Sequence, residues 1–411
     1  MFRIPQARSP AQHCCGWRSA LVAGLAALVS ACSGGGFSST DLFNSRQPAP
    51  PPAPEQSAQT AQTAIGTGQI KVGLILPLSA AGNAGLAGQS MRNAAELALA
   101  EFNNPNIQLL VKDDSGTAQG AQQATQQALE EGAEIIIGPL FAHSVSQAGL
   151  VARARGVPVI AFSTDSNVAG RGVYLLSFLP ESDVDRIVDY TIAQGKRSFV
   201  ALVPDNAYGS VVEAEFKQEV ARKGGRVVAL ERYPADGGKM TDAAKLIAQA
   251  AARADVLFIP DAGEGVSAVA QALGANGLNL KRLQVIGTGL WDDQRIFSES
   301  AVEGGWYAAP DSAGFRAFAG RFRAKYGQDP VRTATLAYDA VALVAALVKT
   351  QGQQRFSPET LTNASGFAGI DGVFRFRADG TNQRGLAVLK TTPSGGQVIA
   401  PAPHTFGGSG T

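Results

Sequence analysis

Lys71-Val72-Gly73-Leu74-Ile75-Leu76-Pro77-Leu78-Ser79 decides the fold. Its apolar run, Val72–Leu76, is short and β-branched, and it is followed by a longer helical pattern. Met91, Ala94, Ala95, Ala98 and Phe102 recur there at the three-to-four spacing that buries one helix face. The same alternation repeats along the chain. Further strand-like runs are Ile107–Val111, Glu134–Ile137, Val157–Phe162, Val173–Ser177, Phe199–Val203, Val227–Leu230, Val256–Ile259 and Gln284–Gly287. Strands alternating with amphipathic helices predict a doubly wound parallel α/β sheet. So many strands exceed what one open sheet comfortably holds, so the pattern divides into two α/β lobes, with the order changing after Leu179-Pro180-Glu181.

The opening run, Gly138-Pro139-Leu140 after the third strand, Val157–Ser163, Tyr208-Gly209 and Phe374–Gly380 together resemble the type I periplasmic-binding fold of leucine/isoleucine/valine receptors. Within it, Gly138–Ala142, Pro204–Gly209 and Gly287–Asp292 are similar to the lipoproteins called penicillin-binding protein activators. The resemblance implies a body over residues 70–400. Lobe 1 is expected at about 70–181 plus 311–360, and lobe 2 at about 182–310 plus 366–400. Three crossovers would join them, at Leu179–Ser182, at Ala308–Asp311 and near Gly352–Gly366.

The flanks have a different composition. Arg3, Arg8 and Arg18 precede an apolar run from Ala20 to Ala31 with no acidic residue among them, which reads as a signal peptide over residues 1–31. The run is shorter than the roughly 20 apolar residues a membrane-spanning helix needs. Leu28-Val29-Ser30-Ala31-Cys32 resembles a bacterial lipobox, which implies that Cys32 is acylated, palmitate included, after cleavage before it. Several acyl chains hold a protein on a bilayer where one alone is marginal. Residues 32–69 continue as a Gly, Ser, Gln and Pro-rich linker with a coil span on the order of 35 Å. Residues 401–411 read as a disordered tail. Cys14 and Cys15 would leave with the signal peptide, so no disulfide is expected in the mature chain. The formal charge of the whole chain is +1 and no basic stripe stands out, which argues against a nucleic-acid partner.

In open α/β sheets ligands sit beyond the carboxyl ends of the strands, beside helix N-termini. In lobe 1 those positions hold Ser79, then Ala142, His143 and Ser144, then Ser163, Thr164 and Asp165. In lobe 2 they hold Tyr208, Asp261, Trp291 and Asp292. Hydroxyls and amides facing an aromatic and carboxylates suit a zwitterion or similar small polar molecule, with Asp292 placed to meet an ammonium group. Each residue also has a structural reading. Ser144, Ser182 and Thr241 can serve as helix N-caps, Ser79 and Thr164 can close turns, Tyr208 and Trp291 can shield loops, Asp292 with Asp293 can form a solvated turn, and a lone loop histidine such as His143 is more often structural than catalytic. Branched-chain receptors of this fold present a serine-rich string after the third strand. Phe141-Ala142-His143-Ser144 replaces it here, and Asp165 stands near an expected hydroxyl, where it favours a cation over a carboxylate.

The chain carries no Gly-x-Ser-x-Gly elbow, His-Glu-x-x-His, Cys-x-x-Cys or P-loop. A non-catalytic role without cofactor or metal is the expectation. Two binding roles follow from the resemblance. One is a regulator that contacts a peptidoglycan synthase; the other is the receptor of an ABC importer, with a permease as partner and a branched-chain amino acid or related polar ligand. Either places the body on the periplasmic side of a bacterial membrane, and Ser33 after the cysteine favours the outer membrane. The anchor is directly testable: Cys32→Ser is expected to abolish palmitate labelling and leave an uncleaved or soluble species. Equal labelling of wild type and variant would contradict the lipobox.

Overall fold

The computed structural model describes residues 64–102, 105–234 and 240–406. Residues 59–411 form one compact unit. The expected signal peptide, Cys32, most of the expected linker and residues 407–411 of the expected tail lie outside the described residues.

The opening run forms β2 (Ile70–Leu76), after a two-residue β1 (Ala64–Ile65). The first lobe continues through α1 (Asn83–Glu101), β3 (Ile107–Asp113), α2 (Ala118–Glu130), β4 (Ile135–Ile137), α3 (Ala142–Ala154), β5 (Val159–Ala161) and β6 (Val173–Leu175). Strand order is β1-β3-β2-β4-β5-β6, with β1 antiparallel and the rest parallel. A parallel sheet needs both faces covered, and the period-two pattern of β2 supplies this. Val72, Leu74 and Leu76 join Met91, Ala95 and Ala98 of α1 on one side. Ile75 joins Ala124 and Ala128 of α2 on the other. Ala64 and Ile65 pair with Leu110 and Leu109, so the end of the expected linker belongs to the sheet.

The chain then enters α4 (Pro180–Ala193) and a second series: β7 (Ser198–Pro204), α5 (Ala207–Arg222), β8 (Arg226–Tyr233), α6 (Met240–Ala250), β9 (Val256–Phe258), α7 (Gly263–Ala275), β10 (Gln284–Gly287), the short α8 (Gln294–Phe297) and β11 (Trp306–Ala309). The parallel cores, β3-β2-β4-β5-β6 and β8-β7-β9-β10-β11, have the same order. Each reverses direction beside its first strand, and that switch point is where such sheets bind ligands. Thr117 caps α2 by accepting from the Gly120 N–H at 3.0 Å, and Asn206 caps α5 by accepting from Gly209 at 2.8 Å. Ser144, Ser182 and Thr241 do not act as N-caps: Phe141 and Leu179 hold the cap positions of α3 and α4, and Thr241 lies inside α6.

From β11 the chain returns to lobe 1. There α9 (Ser312–Tyr326) and α10 (Ala334–Thr350) cover α1, with Phe318 and Phe322 against Ala94 and Leu97. The short α11 (Pro358–Leu361) leads to the antiparallel β12 (Phe367–Gly369), β13 (Gly372–Phe376) and β14 (Asn382–Arg384). Phe374 and Phe376 join the same core as Val72 and Leu74. The third crossing therefore falls between β14 and β15 (Ala387–Thr392), where β15 pairs with β11. The expected crossing near Gly352–Gly366 is displaced because these aromatic residues bury in lobe 1. After β16 (Gly395–Ala400), residues 401–406 pack on the body, correcting the expected disorder there: Arg186 donates to the Pro401 carbonyl, and Arg375 lies 4.9 Å from the Phe406 ring.

Buried polar groups fix the third crossing. Asn382 Nδ2 donates to the carbonyls of Leu175 at 2.7 Å and Ser177 at 2.8 Å, and Arg384 Nε donates to Ser177 at 2.8 Å. Asn382→Ala would leave the Leu175 carbonyl without this donor in a buried site. A loss of about 2 kcal/mol in urea-unfolding stability is expected, and an unchanged midpoint would contradict this role.

Candidate functional site

The residues expected to line the lobe 1 wall all follow its strands. Beyond β2, the Ser79 N–H donates to Asp113 Oδ1 at 3.2 Å, and its hydroxyl lies 2.9 Å from that of Ser115. Partial burial works against the charge of Asp113, but hydrogen bonds from Ser79 and Ser115 outweigh it and hold the carboxyl below its ordinary range. Ala142 opens α3. His143 Nε2 donates to the Gly116 carbonyl at 2.9 Å, and its ring stacks on Phe141 at 5.7 Å. Ser144 is buried and donates to the Thr117 carbonyl at 3.2 Å. Beyond β5, Ser163 accepts from the Asp165 N–H at 3.1 Å, and Asp165 accepts from Asn167 twice, at 3.0 and 2.8 Å. Thr164 is exposed. Most of these polar side chains are therefore closing the loops that carry them.

The lobe 2 wall is more tightly engaged. Tyr208 and Thr288 share a hydroxyl hydrogen bond of 2.7 Å. Burial, followed by the nearby Asp183 carboxylate, pushes the Tyr208 phenol far above its usual range. Asp261 Oδ2 accepts from the Tyr233 hydroxyl at 2.5 Å, and its Oδ1 from the Ala262 N–H at 2.7 Å. Trp291 is fully buried and donates Nε1–H to the Ile259 carbonyl at 3.0 Å. Its ring occupies the space over Gly287, where an added Cβ would stand 2.1 Å from it. Trp291 is thus a packing wedge under the loop. Asp292 is exposed, with Oδ1 accepting from Tyr307 at 3.2 Å.

Sequence reasoning missed Asp183. It lies in the first turn of α4, where an acidic residue complements the helix dipole, and Oδ2 accepts the Gly289 N–H at 2.9 Å. This bond ties the first turn after the crossover to the loop that carries Trp291. The residue keeps part of its surface, but its carboxylate is enclosed. Burial pushes its carboxyl up to about 7, offset in part by the Gly289 N–H and Arg384 and aided by Glu181. Its position after Pro180 was the one sequence signal; its enclosure depends on contacts more than 100 residues away.

Among the described residues no group of three or more His, Cys, Asp or Glu side chains is arranged to hold a metal. A cavity of about 1030 Å³ lies elsewhere, between α4, α5 and the β13–β14 hairpin.

A family model described as periplasmic binding protein matches residues 69–397. The chain belongs to the periplasmic binding protein family. Among curated relatives, this periplasmic binding protein is 28% identical over 131 residues to penicillin-binding protein activator LpoA of Shigella flexneri serotype X (strain 2002017). It is 27% identical over 131 residues to the protein of that name from Escherichia coli (strain K12). Each match covers 32% of this chain and 19% of the relative, so it spans about a fifth of the relatives' length. A solved branched-chain amino acid ABC transporter protein from Rhodospirillum rubrum superposes with a TM-score of 0.71 at 21% identity, covering 80% of this chain and 99% of that one. An ABC transporter substrate-binding protein from Desulfitobacterium hafniense, in complex with Leu, gives 0.60 at 19%, with the same coverages. These structural likenesses establish the two-lobed fold.

In this periplasmic binding protein the raised Asp183 carboxyl makes stability fall with pH. The unfolded chain sheds that proton near pH 4, whereas the folded chain keeps it until about 7. The associated destabilisation grows between those values and levels off above. Asp183→Asn keeps an acceptor for Gly289 and removes the charge. Its unfolding stability relative to wild type is expected to rise by a few kcal/mol from pH 4 to 7.5; a difference independent of pH would contradict the enclosure of this carboxylate.

Proposed function

We propose that this protein is a non-catalytic, lipid-anchored envelope protein that uses its periplasmic-binding fold as a scaffold to regulate a peptidoglycan synthase. The observation that carries this reading is the engagement of the cleft side chains. Tyr208, Asp261 and Asp292 are hydrogen-bonded to Thr288, Tyr233 and Tyr307 of their own lobe, and Trp291 is buried. A receptor needs such groups free to meet a ligand's amine and carboxylate, because replacing an internal hydrogen bond by a ligand bond returns little net free energy. The likeness to proteins named penicillin-binding protein activators supports the same role. No described helix is long and apolar enough to cross a membrane. Attachment, in this reading, is through acylated Cys32, with the body on the periplasmic side of the outer membrane.

The alternative is the receptor of an ABC importer for a branched-chain amino acid or related molecule. It is favoured by the exposed Thr164 hydroxyl and by the N-terminus of α3, whose cap makes no side-chain hydrogen bond. Two measurements separate the readings. The full-length chain and its Tyr208→Phe/Asp292→Ala variant should recover a peptidoglycan synthase equally from solubilised membranes. The wild type should also show no thermal shift with any amino acid, whereas a receptor at 100 times its Kd would gain about 2.7 kcal/mol. A shift with leucine, isoleucine or valine that Asp292→Ala abolishes would overturn the regulator.

A further inference from the structure

The cavity of about 1030 Å³ is a trench between the lobes, and none of the cleft residues named above lines it. Its lobe 2 wall is formed by α4 and α5. Its lobe 1 wall is formed by β13, the turn after it and β14, with the ordered tail alongside. Glu181 and Asp185 stand one turn apart on α4, and Glu215 and Glu219 one turn apart on α5, so each pair shares a helix face. Arg375 and Arg377 lie on the other wall.

Many of these charges are answered. Arg222 and Lys223 reach Asp185 at 3.2 and 3.1 Å, and both also pair with Glu219. Arg375 donates to Gln383 and to the Ala364 carbonyl. Four charged groups remain unmatched. Glu215 and Arg377 make no side-chain hydrogen bond or ion pair among the described residues. One carboxylate oxygen of Glu181 is buried without a partner. Arg384, only 5% exposed, also lines the trench, and both terminal guanidinium nitrogens lack acceptors. Burial, then repulsion from Glu219, Glu181 and Asp185, pushes the Glu215 carboxyl up to about 7, with Arg377 opposing. The unpaired groups divide by wall: Glu181 and Glu215 on the lobe 2 wall, whose cations Arg186, Arg222 and Lys223 serve other partners, and Arg377 on the lobe 1 wall, whose Asp379 accepts from Thr381.

Length narrows the ligand. Along α4 the lining runs from Glu181 to Asp189, about 12 Å at helical rise. That exceeds one amino acid and matches roughly three extended residues. Gln218, Gln383 and Thr381 add amide and hydroxyl groups suited to peptide units. Its volume is also that of a ligand site.

We propose that the trench binds a short zwitterionic peptide, its free amino group at Glu181 and Glu215 and its carboxylate toward Arg377. The site is separate from the cleft and does not depend on whether the protein is a regulator or a receptor.

The test is calorimetric titration of the full-length chain with tri-alanine, which carries both terminal charges, beside N-acetyl-tri-alanine amide, which carries neither. Saturable binding of tri-alanine is expected, weakened at least tenfold by Glu215→Gln and by Arg377→Gln, unchanged by Tyr208→Phe, and absent for the capped peptide. Glu215→Gln removes a repelled carboxylate, so it should melt no lower than wild type, which separates lost binding from lost fold. No saturable heat, equal binding of the capped peptide, or loss with Tyr208→Phe but not Glu215→Gln would each overturn the proposal. So would a silent titration in which Glu215→Gln and Arg377→Gln change the scattering profile, since the trench would then be a latch between the lobes.

Discussion

The carbonyl of Ser177 accepts from both the Asn382 amide and Arg384 Nε, and the two-lobed arrangement depends on that convergence. Ser177 lies just past the last strand of the first sheet, where the chain departs for lobe 2. Asn382 and Arg384 lie where it departs a second time, some 200 residues later. A buried carbonyl without a donor costs free energy comparable to a lost hydrogen bond. The first and third crossings are therefore pinned to each other. Arg384 is held there with its terminal nitrogens unpaired, its charge met by the Phe178 and Phe374 rings at 4.6 and 5.7 Å and by the surrounding field of Asp371, Asp339 and Asp183.

The same region concentrates carboxyl groups held near neutrality. Asp183, Asp339 and Glu215 are each pushed up to about 7, with burial the largest cause in all three. Asp339 donates nothing to the sheets; it accepts the Ile370 N–H at 2.8 Å and leaves its other oxygen unpaired. By contrast, Asp371 is matched, accepting from Arg332 and from Thr335. Asp114 beyond β3 is likewise buried, raised and left with one unpaired oxygen, whereas Asp255, which precedes β9 and ties it to the start of β7, is held below its ordinary range by Ser198 and the Arg197 N–H.

Much of this was legible in the sequence where local pattern and tertiary context agree. Val72, Leu74 and Ile75 announce a strand covered on both sides, and the helices between strands follow from their own periodicity. Trp306–Ala309 escaped notice because it holds no β-branched residue, and β12, β13 and β16 because glycines interrupt them, while β14 is three polar residues. Gly352 and Gly366 suggested a crossing, yet Phe374 and Phe376 hold the chain in lobe 1 for longer. Pro401–Phe406 has the composition of a disordered tail, but Arg186 on the Pro401 carbonyl, Ala402 on the lobe 2 core and the Phe406 ring beside Arg375 place it. At the site, position beyond the strands could be read from order alone. Whether a hydroxyl or carboxylate there is free could not, because Tyr233, Thr288 and Tyr307, which occupy them, are distant in sequence or lie within strands.

The central claim is that the cleft's polar side chains already hydrogen-bond one another in the free protein. A double-mutant cycle on urea-unfolding stability, built from Tyr208→Phe, Thr288→Val and the pair, tests it most directly. The account predicts a coupling of about 1 kcal/mol for the hydroxyl pair. A coupling indistinguishable from zero would mean that both hydroxyls are free to face a ligand, and would contradict it.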